Sequence, residues 1–183
     1  MKNLYYYKGA NPTVDLLLIS PENKILLVLR KKEVQACPDM WAIPGGFVNT
    51  NAKKNEKWTS GNETPEQAAL RELSEETGIT SSLLDKTRLR FTGIYEGNNR
   101  DPRDNPDAWS KSHAFAYVMN EDERHIINTV KNINDEVDLD DVADTKWFTL
   151  EEISHMKLAF DHNKIIADTI LNINQNKSKK LRK

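Results

Sequence analysis

The chain has 183 residues, 38% of them hydrophobic and 30% charged, with a formal net charge of −2. That balance fits one soluble globular domain and offers no overall basic field for nucleic acid or an anionic membrane. A single cysteine, Cys37, excludes an internal disulfide framework and an all-cysteine metal site, and no apolar run nears the roughly 20 residues that span a bilayer. A cytoplasmic location is the default expectation, since the opening stretch MKNLYYYKG lacks the apolar core of a signal peptide.

Thr13–Ile19 (TVDLLLI) and Lys24–Arg30 (KILLVLR) read as short strands joined at Ser20–Asn23 into an antiparallel hairpin. Trp41–Val48 reads as a strand broken by Pro44-Gly45-Gly46, and the polar stretch after it, residues 49–62, as a loop. Residues 64–77 form the clearest helix. Thr64 is a good N-cap, Pro65 suits the first helical position, Gln67 completes a capping box, and Gly78 supplies a left-handed C-cap. Strands follow at Arg88–Glu96, Ser112–Met119 and Thr145–Thr149, with a Pro-punctuated loop at 98–107. Leu150–Ser154 starts a short acidic helix, and Phe160–Ile173 fits a last amphipathic one. The expected fold is α/β (α+β), an α/β/α sandwich on a mixed sheet spanning residues 1–174 as one domain. Residues 175–183 are expected to form a basic, unstructured tail.

The chemistry concentrates in the helix. At 100° per residue, Glu72, Glu75 and Glu76 fall within one arc of roughly 100°, while Ala69, Leu70 and Leu73 face an adjacent side. Like charges at i, i+3 and i+4 repel, and these three lie toward the C-terminal half, the unfavourable end of the helix dipole for anions. Two readings stand: a solvated acidic face paired with Lys or Arg, or a face occupied by cations. Clustered hard oxygens suit Mg²⁺ or Mn²⁺ rather than zinc.

Arg71-Glu72-Leu73-Ser74-Glu75-Glu76-Thr77-Gly78-Ile79, preceded by Glu63 with seven residues between Glu63 and Arg71, resembles the box of the Nudix hydrolase family. Pro44-Gly45-Gly46 resembles the family's glycine entry, and the likeness runs from about Asn11 to Ile170. It implies a Nudix sandwich in which Glu72, Glu75 and Glu76 bind Mg²⁺, with the Gly45 carbonyl as a further ligand. Arg71 and Glu63 would orient the helix and its carboxylates. One departure is plain: sixteen residues separate Gly46 from Glu63 where the family has five, an eleven-residue excess. It reads either as a tolerated surface insertion or as a lid bringing Trp58 and Lys53, Lys54 or Lys57 to the ligand.

The stretch Tyr95–Trp109 resembles the Asp-Pro-Arg loop of Nudix ADP-ribose pyrophosphatases. Arg100 and Arg103 could clamp phosphate bidentately, and Trp109 could cap the loop or stack on adenine. Tyr5–Tyr7, Trp41 and Phe47 are the other aromatic candidates. Asn11–Asp15 and Leu158–His162 resemble the same group and also its transcriptional regulators, which add a winged helix that this chain's remaining length cannot hold. Glu136, Asp138, Asp140 and Asp141 precede a late strand, where a general base often lies, and Asp140-Asp141 is favoured there. His113, His125, His155 and His162 show no metal-binding spacing, and no chemistry is assigned to His162. The resemblance implies Mg²⁺-dependent cleavage of ADP-ribose to AMP and ribose 5-phosphate. The alternatives are hydrolysis of NADH, a dinucleoside polyphosphate or an oxidised nucleotide, or ADP-ribose sensing without catalysis. A small-molecule nucleotide partner, no nucleic acid, no membrane and a homodimer complete the expectation.

Overall fold

The computed structural model describes residues 5, 7–54, 56–97, 100–133 and 141–180. Strand β1 (Gly9–Ile19) runs down the middle of the sheet and explains its organisation. Val14, Leu16 and Leu18 face one layer of helices, while Leu17 and Ile19 face the other. Burial on both sides is why this strand reads as an unbroken apolar run rather than an alternating one. Each such side chain contributes roughly 1.5–3 kcal/mol by leaving water.

β1 pairs in parallel with β6 (Ala108–Val118) along its whole length, from Gly9 opposite Ala108 to Ile19 opposite Val118. Its other edge is shared. β4 (Gly45–Phe47) pairs antiparallel with Thr13–Asp15, and β2 (Ile25–Arg30) meets it at the turn, Ile19 opposite Ile25. The expected hairpin therefore forms only at its tip, with Asn23 left-handed (φ 59°) and Ser20 N–H donating to Lys24 O at 2.8 Å. Beyond the tip β2 leaves β1 to pair with β3 (Trp41–Ala42) and β7 (Val142–Phe148). Among the described residues β5 (Arg90–Glu96) pairs only with β6, at the end of the strand order.

Helix α1 (Pro65–Thr77) has the expected caps: the Thr64 hydroxyl accepts from Gln67 N–H, the Gln67 side chain answers, and Gly78 ends the helix at φ 71°. Ala68, Ala69 and Leu73 pack on Val14, Leu16 and Leu18, together with Ile126 and Val130 of α2 (His125–Ile133). Sequence reasoning assigns no element there, because β-branched Ile126, Ile127 and Val130 are indifferent helix formers. A capping box between Asn120 and Glu123 just upstream and the buried Ile126/Val130 pair supply what propensity does not. On the opposite layer, Ile153 of α3 (Leu150–Ser154) and Ile165 and Ile166 of α4 (His162–Lys180) pack on Leu17, Ile19 and Leu27. The result is the expected α+β sandwich on a mixed seven-stranded sheet.

Several boundaries differ from expectation: β1 begins at Gly9 rather than Thr13, and β7 at Val142 rather than Thr145. β6 begins at Ala108, four residues early, because Gly9–Asn11 offer it a parallel partner. α4 begins after Phe160, which sits at φ 52°. It then continues to Lys180, so residues 175–180 are helical rather than an unstructured tail.

The insertion folds back on itself. At its neck Asn49 N–H donates to Glu63 Oε2 at 2.7 Å, and the Thr50 hydroxyl reaches Thr59 O. Lys8 N–H donates to Glu56 O at 2.9 Å, and Trp58 packs against the α1-side core. This is a compact Ω-type loop anchored by its own aromatic residue.

Candidate active site

A cleft of about 280 Å³ opens where β1, β4, α1 and the start of α4 converge. α1 supplies its acidic wall. Glu76 lies toward the floor and accepts a hydrogen bond from Gly45 N–H at 2.9 Å. Burial pushes its carboxyl up to about 8, and the nearby Glu72 and Asp15 charges add to the shift. Burial likewise raises Glu72, though Arg71 opposes it. Glu75 is mostly exposed, its side chain 57% accessible.

Arg71 organises this face. Its guanidinium holds Glu63 in a two-bond fork at 2.7 and 3.1 Å, donates to Glu72 at 2.7 Å and Glu75 at 2.8 Å, and reaches Phe47 O at 2.9 Å. These bonds keep Glu63 below the usual carboxylate range and tie the helix to β4. Backbone contact requires glycine at 45, whereas at 46 a side chain would have to displace the Glu72 carboxylate. A Cβ on Gly45 would lie 2.0 Å from Val14 O, and one on Gly46 2.4 Å from Glu72 Oε1.

Among the described residues, no three His, Cys, Asp or Glu side chains converge as a metal-binding group. Glu72 and Glu75 turn to Arg71, and Glu76 turns to Gly45. The donor chemistry nevertheless fits a divalent cation. Hard oxygens are crowded on one face, and two of the three carboxyls are pushed up by burial, Glu72 in spite of its bond from Arg71. For the Gly45 carbonyl, the structure shows only that its neighbouring N–H is engaged with Glu76.

The wall facing α1 centres on two residues to which sequence reasoning assigned no role. Asp15 is 6% exposed and His162 3%. Ile43 N–H donates to His162 Nδ1 at 2.9 Å, which places the ring proton on Nε2, 3.1 Å from Asp15. Ser112 also donates to Asp15, and Arg100 lies 3.7 Å away. Burial alone would raise the Asp15 carboxyl. His162, Arg100 and Ser112 outweigh it and hold it below the usual range. The available signal was an ionisable residue inside the apolar run TVDLLLI, which needs buried partners.

Arg100 and Arg103 both line the cleft, each engaged with a carboxylate. Arg100 forks onto Asp161 at 2.8 and 3.2 Å and donates to Ser110 at 2.9 Å. Arg103 forks onto Asp101 at 2.6 and 2.9 Å, with its guanidinium 5.3 to 5.9 Å from the ring centres of Tyr5, Phe47 and Phe160. Phe47 is 39% exposed at the rim. Asp141 lines the cleft, whereas Asp140, Glu136 and Asp138 lie outside the described residues.

Trp109 stands elsewhere. It lines a second groove with Lys8, Trp58 and Lys111, and its indole N–H donates to Glu96 at 2.8 Å. Trp58 and Lys57 line that groove too, and no described residue of 50–62 lines the cleft. Of the described residues of 49–62, Asn49 at the neck lines the cleft.

The model of the NUDIX domain matches residues 9–169, and the chain belongs to the Nudix family. It is 34% identical over 153 residues to an ADP-ribose pyrophosphatase of Methanocaldococcus jannaschii, covering 82% of this chain and 68% of the relative. An ADPR responsive transcriptional repressor, NtrR, of Acinetobacter baylyi is 28% identical over 92% of this chain and 56% of its own length. Among solved structures, the bifunctional NMN adenylyltransferase/ADP ribose pyrophosphatase of Francisella tularensis complexed with AMP and a Mn ion superposes with a TM-score of 0.64 at 27% identity. That match covers 90% of this chain and 42% of that one.

Proposed function

We propose that this protein hydrolyses the pyrophosphate bond of ADP-ribose to AMP and ribose 5-phosphate, using Mg²⁺ or Mn²⁺. The observation that carries the reading is the acidic face of α1 set against Gly45 and Gly46 in a cleft whose other side presents Arg100 and Arg103. The 34% identity to an ADP-ribose pyrophosphatase supports this choice of substrate.

In this reading Glu72, Glu75 and Glu76 would hold the cation, which when bound would offset the diphosphate charge and make water more acidic. Arg71 and Glu63 fix the pitch of the helix through their fork, so the carboxylates keep their spacing. Arg103, stacked among aromatic rings and partnered by Asp101, exchanges that carboxylate for a phosphate oxygen. In the same reading Asp141, which lines the cleft, takes the proton of the attacking water, with Asp140 beside it in sequence. Phe47 offers the rim an aromatic face for the base, and Trp109 joins the site only if the ligand reaches the second groove.

Product chromatography after incubation with ADP-ribose and Mg²⁺, beside NADH and a deoxynucleoside triphosphate, tests the proposal. AMP appearing fastest from ADP-ribose is expected. Turnover of another nucleotide alone would discard the substrate.

A second reading is an ADP-ribose sensor. It is favoured by the similarity to a repressor and by Arg71 occupying both Glu72 and Glu75. Tight ADP-ribose binding with no product at saturating Mg²⁺ would select it. The retained carboxylate set speaks for catalysis.

A further inference from the structure

Arg100 lines both the cleft and a groove between β5 and α4, of about 530 Å³, which its partner Asp161 lines together with Tyr95, Glu96, Lys164 and Asp168. Arg100 thus stands between two compartments. The cleft, at about 280 Å³, lies at the lower end of the roughly 300–1,000 Å³ that ligand sites of drug size occupy. A diphosphate carrying a ribosyl group on one end and a nucleoside on the other needs more room than that.

We infer that the β5–α4 groove is a subsite for a ribosyl group, reached past Arg100 while the diphosphate lies in the cleft. This rests on the proposed function. The chemistry of the lining selects the occupant. Tyr95 O–H and Lys164 Nζ both donate to Asp168 Oδ2, at 3.2 and 2.5 Å. Asp168 Oδ1 has no such partner among the described residues, and a carboxylate oxygen of this kind accepts from a sugar hydroxyl. The ring of Tyr95 is not a platform for a base, because Lys164 Nζ sits 5.2 Å from its centre. Asn172 adds an amide that both donates and accepts. Aromatic faces belong instead to the cleft side, at Phe47 and Phe160. Ribose and phosphate therefore have separate places, and Arg100, whose Nη1 donates to Ser110 while Nε and Nη2 donate to Asp161, stands at the join.

Calorimetric titration of the full chain with ribose 5-phosphate, AMP and ADP-ribose tests this, comparing wild type with Asp168→Asn and Tyr95→Phe. Asp168→Asn is expected to weaken ribose 5-phosphate and ADP-ribose about fivefold to tenfold, the effect of one charged acceptor, and to leave AMP within twofold. Tyr95→Phe frees Asp168 from one donor and is expected to weaken the same two ligands by less. Unchanged ribose 5-phosphate affinity in Asp168→Asn overturns the subsite, as does an equal loss for AMP, which would mark a general disturbance. Because binding is read without turnover, the two readings separate. A ribose-selective loss in a protein that makes no AMP keeps the subsite and overturns the hydrolase.

Discussion

Glu76 is held to its proton by burial up to about pH 8, yet a cation can bind only its charged form. The sign of the resulting pH dependence follows. An unfolded glutamate releases its proton near pH 4.5, so between about 4.5 and 8 the unfolded state is the more ionised and folding weakens as pH rises. Metal-free Glu76→Gln should lose that slope and melt about 5 °C above wild type at pH 8.5, with the gap closing at pH 5. Saturating Mg²⁺ should raise the melting temperature of wild type but not of the variant. The same substitution should cut turnover of ADP-ribose on the order of a hundredfold or more. A folded variant with wild-type turnover would sink the assignment of Glu76 as a ligand. Asp15 behaves oppositely: its carboxyl is held low, so its contribution is present above about pH 4 and lost in acid. His162→Ala leaves that buried charge with the Ser112 hydrogen bond and Arg100 at 3.7 Å, and should cost about 3 kcal/mol by urea titration at pH 7.

Among the elements, α1 and the short strand β4 act as a pair. Gly46→Ala places a methyl group against the Glu72 carboxylate while leaving the α1 core contacts intact. Activity should therefore fall at least tenfold with a melting shift of only about 2 °C. Thr64→Ala removes a capping hydrogen bond at the far end of the helix and should cost about 1 kcal/mol of stability with little effect on kcat. Local signals carried this region well. The caps at Thr64, Gln67 and Gly78, the carboxylate arc and the break at Pro44 are all short-range chemistry. The facing wall was not legible in the same way. Asp15 and His162 are 147 positions apart and meet only because β1 and the start of α4 do. The early start of β6 escaped because its partner is the distant β1, although the Asn105–Ala108 turn stands directly before it. For α2, tertiary burial of Ile126 and Val130 overrode indifferent propensity.

Over the whole molecule the insertion and the cleft are separate parts. Replacing residues 50–61 by a short Gly-Ser link should keep kcat/KM for ADP-ribose within about threefold, since closing the shorter loop costs little. Stability should fall by about 2 kcal/mol, because Trp58 loses its place against the core. A collapse of activity with an unchanged melting temperature would show instead that the loop reaches the ligand.

The parallel register of β1 and β6, Gly9 with Ala108, also governs how the chain acquires its structure. Central strands joined across about a hundred residues make for high contact order and slow folding, on the scale of milliseconds to seconds. During synthesis β1 waits for its principal neighbour until β6 has left the ribosome, and meanwhile TVDLLLI is an apolar strand with open edges. Asp15 within it and Pro12 just before it are the residue types that disfavour association between such strands. The aspartate of the mature cleft is thus also of a type that disfavours association of the immature chain with its neighbours.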